Sequence, residues 1–440
     1  MSPRILVVAH NHPDLHPGGT EIFAHDLFKA YQRAGSQALF LGATNTLHRE
    51  ARPGTSFQTV GKAKDEILLW SGHFDRFNMS QIDLYGVVPD LVALLEDFRP
   101  DIVHLHHLLL IGAEFPALVR RILPQARIVM TLHDYYSICA HDGLMARTKD
   151  GQRCLASGPD ACHRCFPEIA ADRFLLREHH LKTHLAYVDQ FVAPSRFLKA
   201  RYVDWGLDAA KIEVIANGRP LTSAAPFRTP HEGRRASFGY FGNINPWKGM
   251  KVLLDAARRL IACGVDFELR VHGAALYQNE TFTAEIDRLF ADTDSHVLRL
   301  GAYERHEVGQ LMAAVDWVVM PSVWWENAPL VIQEAQMHRR PVITSGIGGM
   351  AEAVRDGVDG LHALPGDAAD LAGIMRRCAE DPALWRRLSV ATLPPPSIDA
   401  VAARYLRLLG LKSNAAAPLP TPTAAMAAPS SGARSSIVAA

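Results

Sequence analysis

Short, unbroken apolar runs alternate along this chain with longer segments in which apolar residues recur every three or four positions. Ile5 to Ala9 (ILVVA) is continuous apolar sequence, the pattern of a parallel strand covered on both faces. The loop HNHPDLHPGG follows. In the next segment, TEIFAHDLFKAYQRAG, Ile22, Phe23, Leu27, Phe28 and Tyr31 share one helical face and Gly35 supplies the stop. ALFLGA is the next strand, LVALLEDF leads into DIVHLHHL, and LVRRILP leads into RIVMTLHDYYS. After a cysteine-rich stretch, a long polar helix around Ala170 to Tyr187 precedes QFVAPS, FLKARYVDWG and KIEVIANG. Between Arg49 and Gln81 no period is legible, and that stretch reads as an irregular insertion.

The first alternation ends near Asn217, so residues 1–217 form one predicted domain with a cysteine-rich insertion at 139–165. Residues 218–234, rich in proline, threonine and arginine, read as a linker. A second alternation starts at SFGYFGN and runs through DWVVMP, PLVIQEAQMHR, PVITSG and GLHALPG, giving a second predicted domain at 235–411. Strand–helix alternation with right-handed crossovers builds doubly wound parallel sheets. The expected fold is therefore α/β, two facing Rossmann-like domains across a cleft. The tail 412–440, low in complexity and poor in large apolar residues, is expected to be disordered.

Composition narrows the function. Lysine plus arginine equals aspartate plus glutamate at 46 each, so no bulk field selects nucleic acid or an anionic membrane. The 48% hydrophobic content suffices for globular cores in 440 residues. No apolar stretch reaches the roughly 18 residues a spanning helix needs. The N-terminus MSPRILVVAH runs straight into a strand and is too short for a signal peptide. The expected compartment is the cytoplasm, with contact to the inner face of the membrane left open.

The candidate chemistry gathers at strand-to-helix turns. In PSVWWENAPLVIQEA, Glu326 and Glu334 stand eight residues apart across a helix start, with Asn327 placed to cap the helix and Pro329 in its first turn. A helix N-terminus suits a phosphate and a carboxylate suits a diol, so the turn suggests a nucleotide-sugar pocket. Lys248 follows the first strand of the second domain in FGNINPWKG, where an ammonium could stabilise a departing diphosphate. GIGGMAE (Gly346 to Glu352) shares that sheet edge. In the first domain, Gly18 and Gly19 lie between the first strand and helix, and His133, beside Asp134, follows the strand RIVMTL. HLHH (His104 to His107) has ligand-like spacing but no evident third ligand.

Cys139, Cys154, Cys162 and Cys165 give C-x14-C-x7-C-x2-C. In a cytoplasmic protein this favours a metal over disulfides, with a structural zinc on four thiolates the simplest occupant. A metal cluster, redox use and unliganded thiols are the alternatives. Cys263 and Cys378 read as buried thiols on apolar helical faces.

Taken together, these motifs resemble the retaining glycosyltransferases of family 4, which have the GT-B fold. The Glu-x7-Glu pair, the upstream N-x4-KG and the downstream GG-x2-E carry the resemblance, which runs from ILVVAHNHPDLHPGGTE through GLHALPGDAADL. It implies that Gly18 and Gly19 lie by the donor phosphates, that Lys248 binds the diphosphate, and that His133 lines the sugar pocket. It also implies that Glu326 faces the transferred sugar and Glu334 binds the ribose; the donor-binding set includes Asn243 and Leu330. Asn243 departs from the family, which commonly has arginine there, so one cation is missing or comes from elsewhere. A hexosyltransferase-type reaction without catalytic metal is implied, with front-face attack and the donor phosphate helping to deprotonate the acceptor. The implied partners are a nucleotide-diphosphate sugar and a saccharide or lipid-linked acceptor, in surface polysaccharide or glycoconjugate synthesis. A sugar-nucleotide epimerase or phosphorylase of the same fold and a non-catalytic nucleotide-sugar-binding protein remain the alternatives.

Overall fold

The computed structural model describes residues 2–229, 233–276 and 278–411. The tail 412–440 and residues 230–232 of the linker lie outside the described residues. The first sheet draws on β1 (Arg4–Ala9), β2 (Gln37–Thr44), β3 (Phe57–Thr59) and β4 (Glu66–Trp70). A separate two-stranded ribbon, β5 (Phe74–Asp75) with β6 (Ser80–Gln81), follows. β7 (Ile102–Leu105), β8 (Arg127–Thr131), β9 (Gln190–Ala193) and β10 (Ile212–Val214) complete the eight-stranded order β10-β9-β8-β7-β1-β2-β4-β3. The second sheet comprises β11 (Ser237–Phe241), β12 (Glu268–His272), β13 (Val297–Gly301), β14 (Trp317–Met320), β15 (Val342–Ser345) and β16 (Gly360–Ala363). Its six strands run β13-β12-β11-β14-β15-β16, all parallel.

β1 explains why an unbroken apolar run belongs in the middle of a sheet. Its successive side chains alternate faces: Leu6 and Val8 join Leu91, Leu95 and Ile128 on one side. Ile5, Val7 and Ala9 join Phe23, Phe28 and Tyr31 on the other. The second sheet is packed likewise, with Trp317 and Val319 facing one core and Val318 and Met320 the other. No helix among the described residues is long and apolar enough to cross a membrane.

Two regions differ from the sequence reading. The stretch 49–81 extends the main sheet: β4 pairs parallel with β2, Leu41 beside Ile67, and β3 turns back antiparallel on β4. A three-residue and a five-residue strand are too short to declare a period. Residues 398–411, counted with the second half of the chain, return to the first. Helix Ile398–Leu408 puts Ile398, Val401, Tyr405 and Leu406 into the core that holds Ile5 and Phe28. The chain thus crosses between the domains twice.

The returning helix also closes a buried polar chain. Tyr31 Oη lies 3.1 Å from His104 Nδ1, His104 Nε2 lies 2.8 Å from Thr131 Oγ1, and Thr131 Oγ1 lies 2.8 Å from Tyr405 Oη. Burial, helped by the charge of His133, depresses His104 to about 3, against about 6.5 in an unfolded chain. The unfolded chain therefore takes up this proton first. The stabilisation is complete above pH ~6.5 and is lost as pH falls through the folded value. Urea midpoints should drop between pH 7 and pH 4.5. His104→Gln should flatten that dependence by up to about 1.4 kcal/mol per pH unit; an unaltered slope would contradict this role for His104.

Candidate active site

Three loops meet at the carboxyl edge of the second sheet. After β11, Asn245 Oδ1 accepts the N–H groups of Trp247 and Lys248 at 3.0 Å each, fixing the turn that presents Lys248. Gly249 then takes φ +75°, and a Cβ there would stand 1.9 Å from the carbonyl oxygen of Pro321. Only glycine lets this turn press against the loop that follows β14. That loop carries Glu326, and Lys248 Nζ reaches Glu326 Oε1 at 2.6 Å. Ser322 Oγ and Trp324 Nε1 each donate to the same oxygen at 3.0 Å. The third loop follows β15: Gly349 N donates to Glu326 O at 2.7 Å, and a Cβ on Gly349 would fall 1.7 Å from the Asn327 carbonyl oxygen. The glycines of the KG and GG-x2-E motifs are thus packing requirements of the loop bearing Glu326.

Helix Leu330–Met337 starts later than the sequence suggests. Pro329 occupies its N-cap position, and no side chain caps it. Asn327 is not the cap; its Nδ2 crosses to the first domain and donates to the His133 carbonyl oxygen at 2.8 Å. Leu330, first in the helix, faces Gly19, where an added Cβ would sit 3.8 Å from Leu330 Cδ1. Glu334 is buried in the second turn, and Arg219 Nη2 holds its Oε1 at 2.5 Å. Burial raises the Glu334 carboxyl above its usual range while Arg219 and Arg305 pull against it. Asp26 of the first domain joins this group through Arg305 at 2.5 Å and Arg219 at 3.9 Å. Arg219 is itself buried, with Nε and Nη1 lacking hydrogen-bond partners. Asn243 is exposed at the end of β11, and its carbonyl accepts from Tyr240 Oη at 2.8 Å.

On the facing edge, His133 is half-buried, with Nε2 3.0 Å from His106 Nδ1. Burial takes it down to about 4 despite the opposing charge of Asp134, so it is neutral at pH 7. Asp134 pairs with His107 instead, Oδ2 to Nε2 at 2.9 Å. Although burial pushes the other way, His107 holds the Asp134 carboxyl at about 2. Gly18 precedes helix Gly19–Arg33 with ordinary extended backbone, φ −81° and ψ 164°. Glu21, in the first turn, lies 2.9 Å from His10 Nε2. The position of Arg219 in the linker, the donors Ser322 and Trp324 and the His10–Glu21 contact were not anticipated; NGR at the linker start and the WWE run were the available signals.

Among the described residues, two groups of three ligand-type side chains have their ligand atoms within 4.8 Å of one another: His12–His25–Glu66 and Glu114–His180–His184. In the first, Asp14 N donates to His12 Nδ1, which leaves Nε2 as the protonated nitrogen facing Glu66, and Lys29 already meets Glu66 at 2.6 Å. That is a hydrogen-bonded ion cluster. The six cysteines are free thiols. Burial, with Cys154 and Cys162 nearby, raises Cys139 to about 11. Cys378 is buried as expected, but Cys263 is exposed because its helix ends at Ala262, before the apolar face reaches it. A cavity of about 550 Å³ lies away from these loops, between Val88, Leu91, Phe115 and Leu118. A smaller one, about 210 Å³, lies between the domains beside Asn327, Gly349 and Glu352.

The family model for Glycosyltransferase Family 4 matches residues 17–222, and that for Glycosyl transferases group 1 matches residues 235–381. Glycogen synthase of Mycobacterium tuberculosis is 26% identical over 412 residues, covering 87% of this chain and 88% of that protein. D-inositol 3-phosphate glycosyltransferase of Mycolicibacterium smegmatis is 30% identical over 216 residues, 46% of this chain and 49% of that one. Among solved structures, Anabaena Alr3699/HepE in complex with UDP and glucose superposes with a TM-score of 0.66 at 19% identity, covering 93% of this chain and 99% of that one. Sucrose-phosphate synthase from Thermosynechococcus elongatus gives 0.67 at 18% identity, with 93% and 98% covered. At such identities the structures speak for the fold alone. With family models matched in both halves and the whole two-domain architecture shared, the chain belongs to the group 1 glycosyltransferases and has their GT-B fold.

Proposed function

We propose that this glycosyltransferase moves a hexosyl group from a nucleoside-diphosphate sugar to a hydroxyl of a saccharide or lipid-linked acceptor, with retention of anomeric configuration. The observation that carries the reading is the meeting of Lys248, Glu326 and the start of helix Leu330–Met337 at one sheet edge. An ammonium and free helix N–H groups beside one another suit a departing diphosphate. HepE, of the same fold, is also solved with UDP-glucose, which supports a nucleotide-sugar donor.

In this reading the acceptor oxygen bonds to the anomeric carbon as the bond from that carbon to the phosphate oxygen breaks. The acceptor proton passes to the departing phosphate oxygen, and Lys248 and the helix N–H groups take up the charge. Three donors converge on Glu326 Oε1, which blunts that carboxylate as a covalent nucleophile and favours front-face attack. Neutral His133 offers a hydrogen bond to a sugar hydroxyl and no proton at pH 7. Glu334 takes the ribose diol, with Arg219 fixing its carboxylate from the other side. Synthesis of surface polysaccharide or glycoconjugate at the cytoplasmic face of the membrane is the proposed setting. A lipopolysaccharide 1,2-N-acetylglucosaminetransferase of Salmonella typhimurium, 27% identical over 186 residues, supports it.

Acceptor-dependent release of nucleoside diphosphate tests the reaction; an epimerase would convert the donor with no acceptor present. Glu334→Ala should weaken nucleoside-diphosphate binding by about tenfold or more, on the scale of ~1.5–3 kcal/mol for hydrogen bonds to a charged group. Glu326→Ala should mainly lower kcat. Calorimetry giving wild-type affinity for Glu334→Ala would rule out its ribose role. Lys248→Ala should cost at least two orders of magnitude in kcat, roughly 2.7–4 kcal/mol, and near-normal turnover in that variant would mean that the diphosphate lies elsewhere.

A further inference from the structure

The cysteine-rich stretch is a sequence motif that transfer chemistry leaves unused, and it touches two of the three loops of the candidate site. Trp325, adjacent to Glu326, donates its Nε1–H to the carbonyl of Cys154 at 3.0 Å. The Arg153 guanidinium lies 5.1 Å from the Trp325 ring, and Phe197 packs on that ring at 5.1 Å. Trp247, adjacent to Lys248, lies edge-on to His141 at 6.3 Å. The segment therefore grips, from the first domain, the tryptophan preceding each member of the Lys248–Glu326 pair.

Met145 and Ala146 anchor the start of the segment in the first-domain core, with Cys139 and Cys154 packed against that core, while the rest of it lies at the surface. Helix Pro159–Cys165 has seven residues, none of them buried, too short to persist on its own in water. The preceding hairpin is closed by one bridge, Ala146 to Arg153, and carries a polar tip. The four thiols come from three pieces of backbone: Cys139 after β8, Cys154 at the hairpin end, and Cys162 and Cys165 three apart on the short helix. Cys139 and Cys154 pack against the same core, and Gly158 N donates to Cys162 Sγ at 3.5 Å. Backbone contacts knit the pieces together: Cys154 N donates to Met145 O at 2.6 Å, and Thr148 Oγ1 donates to Cys165 O.

We propose that residues 139–165 bind one zinc ion through Cys139, Cys154, Cys162 and Cys165, and that this closed segment clasps the Glu326 loop through Trp325. Four thiolates fill a tetrahedral site and leave no position for substrate, so the ion is structural. Among the described residues no three of the sulfurs lie within 4.8 Å of one another. The ion, with sulfur at about 2.3 Å, must draw the hairpin end and short helix toward Cys139. Cys154 moves with them and carries the carbonyl that holds Trp325, which ties metal occupancy to the placement of Glu326. The clasp, though not the metal, rests on the donor-site reading above.

The test uses the full chain purified without chelator, with zinc measured by elemental analysis and nucleoside-diphosphate binding by calorimetry. Wild type and Trp325→Phe should each hold one zinc, and Cys162→Ser/Cys165→Ser none. Both variants should bind nucleoside diphosphate up to about tenfold more weakly, the scale of one lost hydrogen bond. Trp325→Phe leaves every thiol in place, so it tests the clasp even where the cysteine variant fails to fold. Wild type without zinc overturns the metal site, and wild-type affinity in Trp325→Phe overturns the clasp. Failure of the wild type to bind any nucleoside diphosphate overturns the donor-site reading and the clasp with it, while the zinc count still decides the metal.

Discussion

The candidate site depends on a carboxylate and an ammonium held 2.6 Å apart on loops 78 residues apart in sequence. Glu326 is buried, and a buried carboxylate is costly unless its lone pairs are matched. Lys248, Ser322 and Trp324 provide that match on one oxygen. The match exists only because two glycines, Gly249 and Gly349, let neighbouring loops approach until backbone touches backbone. Remove either glycine and the carboxylate loses its setting before any substrate arrives. Motif residues that look like separate contributions to binding act here as one packed unit.

The same loop ties the two domains together. Asn327 donates to His133, Trp325 to Cys154, and Gln333 Nε2 to Asn217 O at 2.7 Å. Glu352 receives the N–H groups of Arg196 and Phe197, so a second-domain carboxylate sits at the start of first-domain helix Arg196–Asp204. Asp26, Arg305, Arg219 and Glu334 form a charged chain across the cleft. The helix Ile398–Leu408 packs beneath the first sheet, so any opening of the cleft must bend the chain at two crossings and break directional polar contacts. Closure of this kind fits an enzyme that completes its site by bringing two domains together.

What was legible in the sequence followed from local physics. Continuous apolar runs such as ILVVA announce buried parallel strands, and Lys248 and Glu326 follow strand ends where such sheets place ligand sites, with Glu334 in the helix after one of them. What was illegible was mostly pairwise and long-range. Nothing local says that Asn327 reaches across the cleft and not to its own helix, or that Asp134 pairs with His107. The amphipathic period of Ile398–Leu408 is the same whichever sheet it covers, so its return to the first domain is settled by the surface left open beside Phe28 and Tyr31. Strands β3 and β4 escaped notice because their partners, not their own sequence, make them strands.

In the proposed reaction the sugar leaves a diphosphate held by Lys248 and is received on the same face, with Glu326 too heavily engaged to attack. The stereochemistry of the product reports on that most directly. Proton NMR on an unquenched reaction, with an α-configured nucleoside-diphosphate sugar and a competent acceptor, should show the small anomeric coupling of an α-glycoside from the first turnover. A β-linked product, or donor converted at equal rate with no acceptor present, would contradict the account.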